Sequence, residues 1–201
     1  MKIFKLGIVL GIYAAISCLC LALVNNFTAP VIAERALQKE KEGLKIIFSD
    51  ATDFVMQENE NLQKAISNAN ITPPSIKVLS LYKAVIGNDT IGYVAKLTGP
   101  TYESSTLLVG LDLENKIKGV HILSSTDSPG YGQKAIDPKY NTSKGKTFYG
   151  QFAGLAPLDS FTANIDYEII SGATISSNGF AAIIMAGSKV IAEFAKSDKA
   201  L

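Results

Sequence analysis

The longest apolar stretch of the chain lies near its amino terminus. Residues Leu6 to Val24 contain no charged side chain, and about 19 residues at a rise of ~1.5 Å span close to the ~30 Å hydrocarbon core of a bilayer. The pattern predicts a transmembrane helix. A cleaved signal peptide is the alternative, but its apolar core is usually only roughly 7–15 residues long and ends at a small-residue cleavage site. The longer stretch favours an uncleaved anchor.

Charge on either side of this stretch predicts its orientation. Lys2 and Lys5 precede it, and no acidic residue does. The positive-inside rule therefore predicts a cytoplasmic amino terminus, a single pass through the cytoplasmic (inner) membrane, and an extracytoplasmic location for the rest of the chain. Cys18 and Cys20, the only cysteines, fall inside the span, so they cannot form a disulfide in an exported domain.

Shorter apolar runs farther along the chain predict an α+β fold. Partial alternation over 76–82, 91–97, 106–113 and 117–123 is typical of short antiparallel strands. A long helix is predicted after Thr174, because apolar residues recur there at helical spacing. We expect one transmembrane helix followed by a single domain with an antiparallel sheet and packed helices.

The same patterns divide the chain into three parts. Residues 1–26 are predicted to be a cytoplasmic tip and the transmembrane helix, and 27–74 a stalk with connecting helices, including an exposed helix over 31–48. Residues 75–201 are predicted to be the globular domain. About 170 residues outside the membrane suffice for one compact domain.

Composition excludes several classes of function. The formal net charge is +1, so no strong field indicates nucleic-acid binding. The sequence has no Cys/His cluster for a metal, no P-loop and no dinucleotide fingerprint. His121, the only histidine, lies in a predicted strand, where a structural role is commoner than catalysis. The spacing of Ser171, His121 and Asp127 does not support a catalytic triad, and we predict no catalytic residue.

The turn at 171–177, Ser-Gly-Ala-Thr-Ile-Ser-Ser, is the first candidate site. It joins a strand-like run ending at Ile170 to the start of the long helix. The first turn of a helix leaves backbone N–H groups without partners and carries partial positive charge, so a phosphate is favoured there. Ordinary helix capping by small hydroxyl residues is the alternative.

A second candidate is the loop at 127–134, Asp-Ser-Pro-Gly-Tyr-Gly-Gln-Lys. Pro129 fixes one backbone dihedral, whereas Gly130 and Gly132 permit left-handed conformations and the close approach of a flat ligand to bare backbone.

Both segments resemble motifs of one family. The run SGATISS is similar to the flavinylation motif S/T-G-A-T-x-S/T of the FMN-binding subunits of Rnf-type and Na⁺-translocating NADH:quinone-type electron-transport complexes. The resemblance implies that Thr174 is esterified to the FMN phosphate, with Ser171, Gly172 and Ala173 completing the motif. Glu168 stands where the family often has Asp.

The resemblance extends to other segments. The loop at 127–132 resembles the family's E-T-P-G-L-G, with Asp127 for Glu, Ser128 for Thr and Tyr131 for Leu. Gly92-Tyr93, 108–112 and 116–120 also match family segments, as does the T-x-P-x-I stretch at 28–32. A length of 201 residues suits the Rnf subunit better than its longer quinone-reductase relative.

The resemblance implies a flavin site built from both segments. A separate flavin transferase would attach the FMN, and the isoalloxazine ring would lie against the loop at 129–132. Hydroxyls of Ser171, Ser176 and Ser177 would bond phosphate or ribityl oxygens, and Lys134 would place a cation near the ring. The predicted cofactor-binding residues are Ser171, Gly172, Ala173, Thr174, Ser176, Ser177, Asp127, Ser128, Pro129, Gly130, Tyr131, Gly132 and Lys134.

The implied function is electron relay. The chain would be one subunit of a membrane complex that couples ferredoxin and NAD⁺ redox chemistry to ion movement, with other membrane and redox subunits as partners. Two alternatives stay open. The chain could be a stand-alone, membrane-tethered flavoprotein serving another reductase, or a flavin-free anchored module in which the SGAT turn is only a helix cap.

Overall fold

The computed structural model describes residues 2–58, 60–156 and 161–198. Its helices are α1 (Lys2–Ile47), α2 (Glu60–Asn68) and α3 (Thr174–Asp198). Its strands are β1 (Asp53–Met56), β2 (Lys77–Ile86), β3 (Asp89–Gly99), β4 (Ser105–Asp112) and β5 (Ile117–Ser125). Two short 3-10 helices occupy Gly132–Ala135 and Tyr149–Phe152.

Helix α1 joins two elements that the sequence predicts separately. It runs through Pro30 without ending, so the predicted transmembrane span and the predicted helix over 31–48 form one helix. Proline removes one i→i−4 hydrogen bond and usually kinks or breaks a helix. The helix continues here because the Ala-, Leu-, Lys- and Glu-rich sequence that follows Pro30 favours helix.

Two helices in the described part of the chain are long and apolar enough to cross a membrane. The apolar side chains of α1, including Leu10, Ile16 and Leu21, are exposed. In α3 most of the apolar stretch is buried, with Phe180 and Phe194 fully enclosed. Burial explains why α3 is apolar, since it is the core helix of the domain.

The sheet is an antiparallel meander in which the strands lie in chain order, β1-β2-β3-β4-β5. The four predicted strands correspond to β2 to β5, and the predicted α+β class with an antiparallel sheet is confirmed. Strand β1, which pairs with β2, is not predicted by the sequence. It has four residues, and Val55 and Met56 are both exposed, so no alternation between buried and exposed positions marks it.

Both faces of the sheet are covered. Leu107, Val109 and Leu111 of β4 belong to the core that includes α3. Leu108 points the other way and packs in a second cluster with Phe48, which follows α1. A half-buried strand alternates apolar and polar residues, whereas a strand covered on both faces is apolar throughout. This explains the continuous apolar run of β4.

The compact unit begins at Glu42, earlier than the predicted boundary at residue 75. Helix α2 contributes Leu62 and Ala65 to the same core as α3. The segment 27–74 therefore contains parts of the folded domain, although its polar composition is typical of a connecting region.

One close approach fixes the β3–β4 turn against α3. A Cβ atom built on Gly179 would lie 2.6 Å from the Cα of Thr101 and 2.7 Å from the carbonyl oxygen of Pro100. Both atoms are backbone, so neither can move aside alone. The turn after β3 therefore lies directly on the amino-terminal half of α3.

We expect Gly179→Ala to destabilise the domain by about 1–3 kcal/mol, because overpacking against backbone outweighs the helix propensity gained. Gly187→Ala in the same helix is the matched control. The three nearest neighbours of its Cβ would all be side-chain atoms, the Cδ1 of Leu97 at 2.7 Å and the Cγ2 and Cβ of Val109 at 3.1 and 3.2 Å, and none of them is backbone. Urea unfolding of both detergent-solubilised variants, followed by circular dichroism, checks this, and equal losses would contradict the backbone explanation.

Candidate functional site

The predicted turn lies where the sequence places it, at the start of α3. Gly172 has a φ of +77°, a conformation that glycine adopts without strain. The carbonyl of Ala173 accepts the amide of Ser177 (2.9 Å), which makes Ala173 the N-cap and Thr174 the first helical residue. The turn thus presents Thr174 at the protein surface, where its side chain is exposed.

The first turn of α3 has unused hydrogen-bonding capacity. Alanine at the N-cap has no side-chain oxygen, and the amides of Thr174, Ile175 and Ser176 have no acceptor among the described residues. The Thr174 hydroxyl likewise has no hydrogen-bond partner there. Free amides and the positive end of the helix dipole favour an anion. The first turn of α3 is therefore suited to a phosphate, with a hydroxyl beside it.

Ser177 stabilises the turn from inside. Its hydroxyl is fully buried, donates to the carbonyl of Ala173 (2.9 Å) and accepts the amide of Ile170 (3.0 Å). The predicted role of Ser177 was to bond phosphate or ribityl oxygens. The structure instead uses this oxygen to join the end of the preceding segment to the helix.

The second predicted segment contacts the first. The ring of Tyr131 lies against Gly172, where an added Cβ would be 3.3 Å from the ring's Cδ1. An added Cβ on Gly132 would collide with the Asp127 carboxylate and the Ser176 hydroxyl. Glycine is required at 132 because these two side chains occupy the space. The loop at 127–134 and the start of α3 therefore form one site.

Asp127 lies beneath this junction and is only 1% exposed. Its carboxylate accepts the Thr101 hydroxyl (2.5 Å) and the amides of Glu103 (2.9 Å) and Tyr102 (3.4 Å), and it also accepts the Ser176 hydroxyl. Burial raises the pKa of this carboxyl, but the hydrogen bonds from Glu103, Ser176, Thr101 and Tyr102 together hold the pKa below its usual value. The group is therefore ionised at neutral pH.

A cleft of about 510 Å³ opens at the junction, within the range of roughly 300–1,000 Å³ for small-molecule sites. Three of its large side chains are exposed, namely Tyr102 (63%), Tyr131 (58%) and Ile175 (62%). Exposed aromatic and aliphatic surface beside free amides fits a ligand with a flat ring and a phosphate. The cleft is lined by Tyr102, Ser128, Tyr131, Gly132, Gly172, Ala173, Thr174, Ile175 and Ser176.

Other predicted site residues lie beside the cleft. Ser171, Pro129 and Gly130 are exposed, but they are not among the lining residues. The ammonium of Lys134 lies 5.9 Å from the ring centroid of Tyr140. This cation therefore lies over an aromatic ring, and its place beside the flavin stays a prediction.

The structure adds residues that the sequence did not indicate. Tyr102 lines the cleft from the β3–β4 turn, and Thr101 in the same turn bonds Asp127. Gly99 and Pro100 signal a turn, but no local pattern brings that turn to the start of α3. Tertiary contacts do so, namely the packing of Gly179 against the turn and the hydrogen bonds of Asp127.

Glu168 holds the segment before the SGAT turn through hydrogen bonds. Its carboxylate accepts the amide (3.0 Å) and the hydroxyl of Ser143, and these bonds lower the pKa of the carboxyl, the hydroxyl bond most. Gln151 bonds the backbone of Glu168 at both its amide (2.7 Å) and its carbonyl (3.1 Å). The segment leading into the SGAT turn is therefore held on both sides.

Comparison with known families agrees with this arrangement. A family model described as the FMN-binding domain matches residues 101–188, and one described as the RnfG N-terminal region matches residues 1–47. The first match contains the cleft and the second coincides with α1. The fold and the site therefore define an FMN-binding domain that follows an apolar amino-terminal helix.

Individual relatives narrow the assignment. The chain is 31% identical over 147 residues to the G subunit of an ion-translocating oxidoreductase complex from Photorhabdus laumondii, covering 70% of this chain and 68% of that protein. It is 28% identical over 178 residues to the G subunit of a Na⁺-translocating ferredoxin:NAD⁺ oxidoreductase complex from Acetobacterium woodii, covering 87% and 84%. A proton-translocating counterpart from Clostridium ljungdahlii is 27% identical over 182 residues, covering 88% and 84%. The chain belongs to the family of G subunits of Rnf-type complexes.

Proposed function

We propose that this chain carries FMN through an ester between its phosphate and the Thr174 hydroxyl, and relays electrons within an Rnf-type ferredoxin:NAD⁺ oxidoreductase complex coupled to ion translocation. The observation that carries the proposal is the position of Thr174. Its exposed hydroxyl stands beside unpaired amides at the start of α3, in the cleft where both predicted segments meet. A flavin-free helix cap would need neither the cleft nor the aromatic residues around it.

Different residues of the cleft would hold the phosphate and the ring of the cofactor. The amides of Thr174, Ile175 and Ser176 would hold phosphate oxygens, and the Thr174 oxygen would form the ester, with net loss of one water relative to free FMN. Tyr102 and Tyr131 would flank the ring and exclude water from it. When bound, FMN supplies the redox chemistry, and the protein contributes position and environment.

We expect a separate flavin transferase to attach the FMN, and the described residues that line the cleft, which include no Asp, Glu, His or Lys, are consistent with this. The charges of Lys2 and Lys5 support a cytoplasmic amino terminus, which would place the flavin domain on the outer side of the cytoplasmic membrane. A covalent link removes dissociation as a route of loss. An exported domain would thereby keep its cofactor where free flavin is scarce.

The decisive experiment asks whether flavin survives denaturation. Full-length protein is expressed with and without a flavin transferase, extracted in detergent and separated on a denaturing gel. We expect in-gel flavin fluorescence and an added mass of FMN less one water only in the co-expressed sample, with the mass on the peptide containing Thr174. An unmodified, non-fluorescent protein would overturn the ester and favour the flavin-free module or a non-covalent site.

Purification from native membranes separates the complex from the stand-alone carrier. We expect other membrane and redox subunits to co-purify with the tagged chain in a mild detergent. A flavinylated chain that purifies alone, under conditions in which its membrane neighbours remain assembled with one another, would favour the stand-alone electron carrier.

A further inference from the structure

One buried carboxylate joins the segments that form the cleft. Asp127 belongs to the loop at 127–134, and its hydrogen-bond donors come from the β3–β4 turn and from the first turn of α3. We propose that Asp127 is a positioning residue that assembles the flavin-attachment cleft by holding Tyr102 and its turn against the start of α3. This inference rests on the proposed function and assigns Asp127 a role different from direct cofactor contact.

The chemistry of the contacts requires an ionised carboxylate. An aspartate ion is an acceptor only, whereas asparagine presents two donor hydrogens on one side. In this site Oδ1 accepts the Thr101 hydroxyl and the Glu103 amide, and Oδ2 accepts the Tyr102 amide. Either orientation of an asparagine would therefore set its NH₂ group against an N–H donor of the β3–β4 turn. An isosteric amide cannot replace the carboxylate without breaking contacts to that turn.

The site offers little room to compensate. Gly132 lies so close to the carboxylate and to the Ser176 hydroxyl that an added Cβ would collide with both. A displaced side chain at position 127 therefore has nowhere to move without pushing the loop away from α3. A substitution at Asp127 should therefore displace residues that line the cleft.

Asp127 acts through Tyr102 because it does not itself line the cleft. Tyr102 is 63% exposed, so its ring has few contacts to fix it, and the backbone bonds to Asp127 at Tyr102 and Glu103 set where it lies. The flavin transferase and the flavin would find Tyr102 in its place beside the cleft only while these hydrogen bonds persist. The expected defect on losing them is slow attachment in a domain that remains folded.

Asp127→Asn tests the proposal in the full-length, detergent-solubilised protein. We expect covalent flavin to be incorporated at least about tenfold more slowly, because the loss of a single hydrogen bond to a charged group is large enough for that factor. We also expect the amides of Tyr102 and Glu103 to exchange hydrogen faster in the flavin-free protein. Flavin incorporation at the wild-type rate, or unchanged exchange at both amides, would overturn the positioning role.

Asp112→Asn is the matched control. The Asp112 carboxylate also holds a hairpin turn, accepting the amides of Glu114 and Lys116 (2.9 Å each) between β4 and β5, at the opposite end of β4 from the β3–β4 turn. The same substitution there should leave flavin incorporation unchanged. Both amides are accepted by the same oxygen, Oδ1, so an asparagine can keep them and this variant removes only the carboxylate charge. An equal loss in Asp112→Asn would show that removing a carboxylate from any hairpin slows attachment, and would overturn the specific role of Asp127.

A second variant covers the case in which Asp127→Asn does not fold. Thr101→Val keeps the carboxylate and removes its closest donor, at 2.5 Å, so it should slow incorporation and speed exchange at Glu103. Wild-type values in this variant would overturn the inference. If the wild-type chain accepts no covalent flavin, the proposed function fails, but hydrogen exchange in the flavin-free proteins still decides whether Asp127 holds the turn.

Discussion

Thr174→Val is expected to abolish covalent flavin completely in protein co-expressed with a flavin transferase. Valine matches threonine in shape but has no hydroxyl, so no ester can form. The backbone amides at the start of α3 remain, because they do not depend on the side chain. We therefore expect any FMN that still binds to be released by denaturation, and the loss is measured as the disappearance of in-gel fluorescence and of the added mass.

Thr162→Val is the control for this substitution. Thr162 is an exposed threonine outside the residues that line the cleft, and its replacement should leave the adduct at the wild-type level. Thr174 makes no side-chain hydrogen bond to a described residue, so its replacement should change the free energy of unfolding by no more than about 0.5 kcal/mol. An adduct that persists in Thr174→Val would identify another acceptor, with Ser171 and Ser176 the nearest hydroxyls in the turn.

Much of the domain could be predicted because its signals are local. Strands β2 to β5 alternate or run apolar, and α3 carries a helical repeat that begins at the predicted Thr174. Strand β1 is too short and too exposed to leave such a pattern. The continuity of α1 through Pro30 was likewise not predicted, because proline is a general helix breaker and its tolerance here depends on the surrounding sequence.

The candidate site likewise has parts that the sequence predicts and parts that it does not. The SGAT turn and the glycine at 132 could be found in the sequence, since each is a compact motif with an evident backbone requirement. Tyr102 could not, because its place in the cleft depends on a bond to Asp127, 25 residues away, and on the packing of Gly179 against the β3–β4 turn. Such long-range relations have no local signal.

Ser176 and Ser177 are adjacent in the motif but have different roles in the structure. From the sequence they are two of several hydroxyls at a helix start, each a plausible phosphate ligand. In the structure, helical spacing places Ser176 toward Asp127 and Ser177 toward the interior. Adjacent positions on a helix face directions about 100° apart, so neighbouring serines are used differently. One joins the two halves of the site and the other stabilises the turn beneath it.

The turn also depends on an aromatic cluster below it. Phe148 packs edge-on against Phe152 (ring centroids 5.8 Å apart), Phe180 of α3 (5.9 Å) and Tyr167 (6.5 Å). The Tyr167 hydroxyl in turn donates to the side-chain oxygen of Asn178 in α3 (2.6 Å). Phe148 therefore links α3 to the segment that leads into the SGAT turn.

Phe148→Ala is expected to destabilise the domain by about 3–5 kcal/mol, the range for deleting a fully buried aromatic side chain. Phe148 is completely enclosed, and its removal leaves a cavity among the rings of Phe152, Phe180 and Tyr167. Urea unfolding followed by circular dichroism measures the loss, with flavin content matched between samples because bound ligand raises apparent stability.

Ile165→Ala, at a side chain that is 73% exposed, is the control and should lower the free energy of unfolding by less than about 0.5 kcal/mol. A loss below about 1.5 kcal/mol for Phe148→Ala, well under the range for such deletions, would show that the cluster does not anchor α3. The position of the SGAT turn would then depend on hydrogen bonds, among them those of Ser177 and Gln151.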